Sequence, residues 1–369
     1  MIVFVYGTTG ELIKLAPVMR RLQDQDEPYI CVSTNQQARQ IHPMCDELEL
    51  RHPDHVLWGG IRGHDLSKSW QIPLWAIVLA VRFVWLIPRL RRERGPGQHV
   101  VMVHGDTITT VAGAVMGRCL RSPVAHLEAG LRSHDWRHPF PEELNRRIVS
   151  RLAVLHYAPN DVAVKNLVGT PGETVNIEAN TVRDSLELVP RDRLPSIPGI
   201  ERFLDEPFGL VSIHRFELLA QRDRLQELLE LLTKETQRTR LLFIDHPVTV
   251  AKLEQYRLQH LFDDDRFVRV PRLSYLNFIS MLRQSRYLVT DSGGAQEECY
   301  FMDQPCLVHR MASERHEGVG TNVVLSKFDL GVLKTFLDDP ERYRVGHRPE
   351  VESPSDKVIA DLRERGFLR

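Results

Sequence analysis

Short runs of β-branched and aromatic residues alternate along this chain with longer stretches in which apolar positions recur every three or four residues. The first pattern suits strands and the second suits helices with one buried face. Runs at 2–6, 29–33, 99–104, 124–128 and 154–158 predict strands in the first half. Runs at 174–178, 208–213, 241–244, 267–270, 287–290 and 305–308 predict strands in the second. Helices fit between them, as over 222–236, where Leu225, Leu228, Leu229 and Leu232 form a stripe. Strand and helix in regular alternation point to parallel sheets. With 369 residues the chain is too long for one ordinary open α/β core. The strands fall into two sets about a seam at 166–172. The expectation is therefore α/β with two Rossmann-like doubly wound domains, 1–167 and 168–355, a final helix at 356–369 returning to the first. Ligands of such sheets sit outside the carboxyl ends of the strands, so two domains facing each other share one cleft.

One apolar segment does not follow the alternation. Residues 72–87 (IPLWAIVLAVRFVWLI) are apolar except for Arg82, and a basic RLRRER follows. A membrane span needs about 20 apolar residues and tolerates a central charge poorly. The segment is expected to be a buried domain helix, with a helix touching a membrane surface as the alternative. Met1 is followed directly by a strand-like IVFVY, and no secretory signal is expected. A net charge of −1 gives no long-range field toward nucleic acid. Five cysteines without a CxxC pair suit a reducing cytoplasm and offer no metal knuckle or disulfide framework.

Two strand–turn–helix junctions carry glycines where a backbone can approach an anion. The first is Gly7-Thr8-Thr9-Gly10-Glu11, with Lys14 following. The second is Asp291-Ser292-Gly293-Gly294, with Glu297 and Glu298 one turn into the helix, where Glu298 is placed to accept from ribose hydroxyls. Either could instead be an ordinary tight turn. Neither GxGxxG nor GxxxxGK[ST] occurs in the chain, so a bound nicotinamide or a P-loop nucleotide is not expected.

Carboxylates cluster at the ends of predicted strands. Asp106 follows the third strand in HGDT, Glu128 ends the fourth in HLEAGLRS, and Glu142 and Glu143 come next in PFPEELNRR. Each taken singly could cap a helix or sit in its first turn. Two that follow buried strands converge on the rim where a ligand lies. His214, at the end of the strand 208–213, can donate to a phosphate or move a proton, or can be a surface-loop histidine. His246 has a weaker case of the same kind. No HEXXH, CxxC or GxSxG occurs, so neither a metal site nor an acyl-transfer triad is expected.

Taken in order, GTTGELIKLAPV, HGDTITTVAGA, HLEAGLRS, PFPEELNRR, VSIHRFE, TDSGGAQEE and ERHEGVG span residues 7 to about 320. Together they resemble the UDP-N-acetylglucosamine 2-epimerases of the non-hydrolysing bacterial type. The resemblance implies a glycosyltransferase-B-like pair of Rossmann-like domains, with UDP held mainly by the second. It implies catalytic or sugar-binding roles for Lys14, Asp106, Glu128, Glu142 and His214, and a place beside the cleft for Arg146. It assigns Phe278, Ser292, Gly293, Gly294, Glu298 and Arg315 to UDP. The sequence also departs from the family. Thr9 and Gly10 stand where its first motif has arginine and proline, and threonine supplies neither the charge nor the fork of a guanidinium. Leu273 stands where the family often has a polar residue near the uracil. Of the family's motif for a second, activating nucleotide only part survives in 34–40, and Gln36, Arg215 and His246 could remain from such a site.

The implied reaction interconverts UDP-GlcNAc and UDP-ManNAc. The C2 hydrogen is not next to a carbonyl, so it leaves only as UDP is expelled from C1, giving an unsaturated sugar to which UDP re-adds. That route needs carboxylates near both ring faces and donors on the diphosphate, and no cofactor. Alternatives are a hydrolysing 2-epimerase that releases ManNAc and UDP, a glycosyltransferase of the same fold, and a catalytically silent sugar-nucleotide-binding protein. A cytoplasmic homodimer, with no nucleic-acid or membrane partner, completes the expectation.

Overall fold

The computed structural model describes residues 1–59, 71–95, 97–135, 140–262, 265–346 and 351–369. The chain forms two compact units, one of Met1–Leu188 with Val351–Arg369 and the other of Val189–Glu350.

In the first unit seven parallel strands lie in the order β3-β2-β1-β4-β5-β6-β7. They are β1 (Ile2–Tyr6), β2 (Tyr29–Ser33), β3 (His55–Val56), β4 (Val100–His104), β5 (Val124–Leu127), β6 (Leu155–Ala158) and β7 (Glu173–Asn176). β1, β2, β4, β5 and β6 are buried along their whole length, as strands covered on both faces must be. Their valines and isoleucines pack with Leu57, Trp58 and helix residues such as Ala114 and Val149 into one core. The final helix, Pro354–Glu364, belongs to this unit. It is tied there by Asp361, which accepts from Tyr157 Oη at 2.8 Å, and by an ion pair between Asp356 and Arg21.

The second unit repeats the plan with six parallel strands in the order β10-β9-β8-β11-β12-β13. These are β8 (Phe208–Ser212), β9 (Arg240–Ile244), β10 (Phe267–Val270), β11 (Tyr287–Thr290), β12 (Cys306–Val308) and β13 (Val323–Leu325). The helix Arg222–Glu235 buries Leu225, Leu228, Leu229 and Leu232 completely against Val211, Phe243 and Phe267. Both units thus have the doubly wound order, in which the strand order reverses beside the first strand.

Three expectations need correction. The seam placed at 166–172 lies inside the first unit, because β7 pairs with β6 there, Tyr157 opposite Val175. The strand expected at 174–178 therefore closes the first sheet instead of opening the second, and the division falls at Leu188/Val189. β3 and β13, of two and three residues, are too short to show a period and were not expected. The third concerns the apolar segment, which is part of a helix, Gln71–Glu93, but not a buried one. Trp75, Leu79, Phe83 and Leu90 pack inward, whereas Leu74, Ile77, Val81, Val84 and Trp85 are exposed, Trp85 by 81%. By length and composition this helix could cross a membrane.

Candidate functional site

In the first unit the carboxyl ends of β4 and β5 carry the acidic residues. Glu128 follows β5 with a left-handed backbone, φ 64°, and is buried beside the equally buried Lys14. Lys14 Nζ and Asn180 Nδ2 both donate to Glu128 Oε2, and His104 Nε2 stands 3.7 Å from the same oxygen. Lys14 is itself positioned by backbone: Thr181 Oγ1 donates to the Lys14 carbonyl at 2.6 Å and Ser185 Oγ to that of Ile13 at 2.8 Å.

Asp106 follows β4. The helix after it, Ile108–Cys119, is capped by Thr107, which accepts from Thr110 N, so Asp106 is not its cap. The Asp106 carboxylate pairs with the buried Arg146, and its carbonyl accepts from Asn145 Nδ2 at 2.8 Å. Both partners lie on the helix Glu142–Leu152, whose first turn holds Glu142 and Glu143. The two glutamates differ. Glu143 is fully buried and accepts from Ser133 N and Arg147 Nε at 3.0 Å each. Glu142 is partly exposed, and its Oε2 is buried with no hydrogen-bond partner among the described residues.

The first glycine turn is not an open cradle. Gly7 N and Thr8 N donate to Glu11 Oε2 at 2.9 Å each, and Thr9 N donates to Gln37 Oε1 at 2.8 Å. Thr9 Oγ1 adds a second bond to the same Gln37 oxygen at 3.0 Å. Glu11 also accepts from Thr107 Oγ1 at 2.6 Å. Burial pushes the Glu11 carboxyl up, against the pull of Thr107, Gly7 and Thr8. The turn that resembled an anion site is thus filled by the chain's own acceptors. Gln36, in the same unit, accepts from Thr109 Oγ1 at 3.3 Å.

In the second unit the ends of β8, β9 and β11 bring His214, Arg215, His246 and Asp291 together. Asp291 is fully buried and accepts from His214 N at 3.0 Å and from Arg215 N at 2.7 Å. His214 and His246 stack with ring centroids 4.4 Å apart. Burial, then Arg215 and Arg272, pull His214 down to about 4. Burial, His214 and Arg272 do the same to His246, again to about 4, against Asp291. Both rings are neutral at neutral pH, so each offers one N–H donor and no charge.

Ser292 caps the helix Gly293–Met302 by accepting from Ala295 N. Gly293 and Gly294 form its first turn, where backbone N–H groups carry partial positive charge. A Cβ on Gly293 would lie 2.8 Å from Arg315 Nη1, so glycine is required for the guanidinium to stand there. Arg315 forms an ion pair with Glu297, Nε to Oε2 2.7 Å, and donates through Nη1 to Glu314 Oε1 at 3.0 Å. Burial alone would raise Glu314; Arg315, Arg310 and Arg215 hold it down at about 2. Glu298 is buried in the same helix. Phe278 is partly buried and packs with Leu273 against the core of this unit.

The chain has counterparts among known proteins. A family model described as UDP-N-acetylglucosamine 2-epimerase matches residues 92–330. The chain belongs to that family. A UDP-N-acetylglucosamine 2-epimerase of Bacillus subtilis is 30% identical over 349 residues, covering 92% of this chain and 88% of its own. One from Methanocaldococcus jannaschii is 28% identical and covers 87% of each chain. The crystal structure of the M. jannaschii enzyme in complex with UDP-GlcNAc and UDP superposes with a TM-score of 0.77 at 25% identity, over 99% of both chains. A Listeria monocytogenes structure shares the fold with a TM-score of 0.81 over 99% of this chain and 95% of its own. The expected fold class, two Rossmann-like domains of the glycosyltransferase-B-like type, is that of these 2-epimerase structures.

Within the family assignment, sequence reasoning missed the residues that hold the site. Asn180 and Thr181 lie in none of the stretches quoted above, and His104, Asn145 and Gln37 lie within them without a role assigned; the contacts that place them span many residues of sequence. Only the clustering of Asn145 with Arg146, on one helix one turn after Glu142, could have been found by helical spacing.

Proposed function

We propose that this chain is a UDP-N-acetylglucosamine 2-epimerase interconverting UDP-GlcNAc and UDP-ManNAc, of the non-hydrolysing type. The observation that carries this is the pair Asp106 and Glu128. They stand at the ends of adjacent parallel strands, each held by a buried cation, and Glu142 lies on the helix that supplies one of those cations. In the forward direction a base takes the C2 proton while the C1–O bond breaks. Its electron pair leaves with UDP, and a C1=C2 double bond forms. Return of a proton to the opposite face of C2 and of UDP to C1 completes the inversion. Asp106 and Glu142 are the proton-transfer groups in this reading. Glu128, held through one oxygen by Lys14 and Asn180, supplies the negative charge that stabilises the cationic character developing at C1.

On the nucleotide side the same reading gives UDP to the second unit. Ser292, Gly293 and Gly294 offer the helix N-terminus to the diphosphate, with Arg315 and the His214 N–H as further donors. Glu298 takes the ribose and Phe278 the base. Arg215 and His246 are left for an activating nucleotide. Incubation with UDP-GlcNAc in deuterium oxide, followed by proton NMR, tests the proposal. UDP-ManNAc with deuterium at C2 supports it. Free ManNAc with UDP identifies the hydrolysing type, transfer to an acceptor identifies a glycosyltransferase, and binding without turnover identifies a silent binder.

We further propose a cytoplasmic homodimer. All five cysteines are unpaired, as a reducing compartment keeps them. The exposed stripe Leu74, Ile77, Val81, Val84 and Trp85 is the kind of contiguous apolar surface that marks an interface. Sedimentation of the wild type as a dimer, with no binding to anionic vesicles, supports this; a monomer that pellets with vesicles refutes it.

A further inference from the structure

His126 lies in β5, two residues before Glu128, with no exposed surface. Its Nε2 is 2.7 Å from the Gly105 carbonyl oxygen. A carbonyl only accepts, so Nε2 bears the proton and donates, and Nδ1 keeps a bare lone pair. That Nδ1 is buried without a hydrogen-bond partner among the described residues. Burial holds the ring well below the usual imidazole range, at about 3, opposed by the Gly105 carbonyl and reinforced by His156, His104 and Arg132. The ring is therefore a neutral donor of fixed tautomer, unsuited to carrying protons.

What it grips is the turn that delivers Asp106. Gly105 has φ +72°, a conformation that side chains other than glycine's rarely allow. Its N–H donates to Leu127 O in β5 at 3.0 Å. Its C=O accepts from His126, also in β5. Gly105 is thus bonded through both its backbone polar groups to the strand that ends at Glu128. The next residue, Asp106, is held from the other side by Asn145 and Arg146.

We propose that His126 is a positioning residue for the epimerase reaction: its Nε2–H fixes the Gly105–Asp106 peptide and so sets where the Asp106 carboxylate stands relative to Glu128. This rests on the proposed role of Asp106. It gives the histidine of HLEAGLRS a structural task distinct from acid–base chemistry.

Two substitutions in the full chain separate donor from shape. His126→Phe keeps a planar ring without the donor, and His126→Gln carries an N–H to nearly the place of Nε2. His126→Phe is expected to lower kcat by about one to two orders of magnitude, the scale of a misplaced catalytic group, with little change in KM. His126→Gln is expected to restore most of kcat with the pH profile of the wild type. Hydrogen–deuterium exchange gives a readout independent of turnover. Peptides covering 104–110 should exchange faster in His126→Phe than in wild type or His126→Gln. If His126→Phe does not fold, His126→Asn, too short to reach Gly105, takes its place. A donor-less variant with wild-type kcat and exchange overturns the proposal. So does a His126→Gln enzyme as slow as His126→Phe that has lost a limb of its pH profile, which would make His126 a proton carrier. If the wild type does not epimerise UDP-GlcNAc, the functional reading fails and the exchange comparison alone decides whether His126 holds the turn.

Discussion

Asp106, Glu128 and Glu142 are three carboxylates in three different electrostatic settings. Asp106 meets a guanidinium, Glu128 an ammonium and an amide, and Glu142 keeps one buried oxygen without a hydrogen-bond partner among the described residues. Replacing each by its amide (Asp106→Asn, Glu128→Gln, Glu142→Gln) is expected to lower kcat by about two orders of magnitude or more, the usual share of general acid–base or charge catalysis. Steady-state turnover of the three purified variants checks this, and wild-type rates in all three would refute the mechanism. Position 9 behaves differently. Thr9 is tied twice to Gln37, so the loop is already organised around a neutral contact. Thr9→Arg alone is therefore expected to leave UDP affinity within about threefold of wild type, a change below 1 kcal/mol, as read by calorimetric titration. A tenfold gain would show that the guanidinium finds the diphosphate despite Gln37. The placement of Asp106 and Glu128 after strands was legible from alternation alone. Glu11 was not: nothing local says that its carboxylate would turn back onto Gly7 and Thr8 and across to Thr107, ninety-six positions away.

Among the elements, the helices divide by how they use apolar residues. Arg222–Glu235 shows a single stripe, and the four leucines of that stripe, of five in the helix, are wholly buried, as the spacing predicts. Leu228→Ala is expected to cost about 2–5 kcal/mol, measured by denaturant unfolding. The helix Gln71–Glu93 was read from its composition, and composition misled. A helix apolar all round is normally buried, but here one stripe covers the core and the opposite one faces out. Val81→Glu with Trp85→Glu is expected to give a folded monomer, while Leu79→Glu, on the inward stripe, is expected to unfold the first unit. Light scattering and thermal melts distinguish the two. The strand ends of the second unit carry a pH signature. His214 and His246 titrate at about 4 when folded and at about 6.5 when unfolded. Folding therefore excludes protons between those values, and the associated stability is complete above pH 6.5 and lost as pH falls toward 4. Melting temperatures should fall over that window, and His214→Gln with His246→Gln should reduce the slope.

At the scale of the whole molecule, alternation and length conveyed two parallel-sheet units, and the doubly wound order followed from known handedness and sheet rules. The point of division was misplaced because β7 is short and mostly polar, with Glu173 and Thr174 exposed. Its allegiance is set by pairing with β6, which composition does not encode. The return of the last helix has a further implication. Residues 351–369 complete the first unit, yet the ribosome makes them after all of 189–350. Ser353 and the Ser355 backbone satisfy the fully buried Asp184, Asp361 accepts from Tyr157, and the Phe367 carbonyl accepts from the Met1 amino group at 2.6 Å. Until that tail emerges, the second carboxylate oxygen of Asp184 lacks the Ser353 and Ser355 donors, leaving Arg183 on the first, and Tyr157 Oη lacks the Asp361 acceptor. During synthesis the second unit, a continuous stretch of chain, can close before the first, reversing the N-terminal-first order usual for multidomain chains. A nascent chain stopped at 350 should thus expose the first unit to protease while shielding the second, and a synthetic 351–369 peptide added in trans should close it.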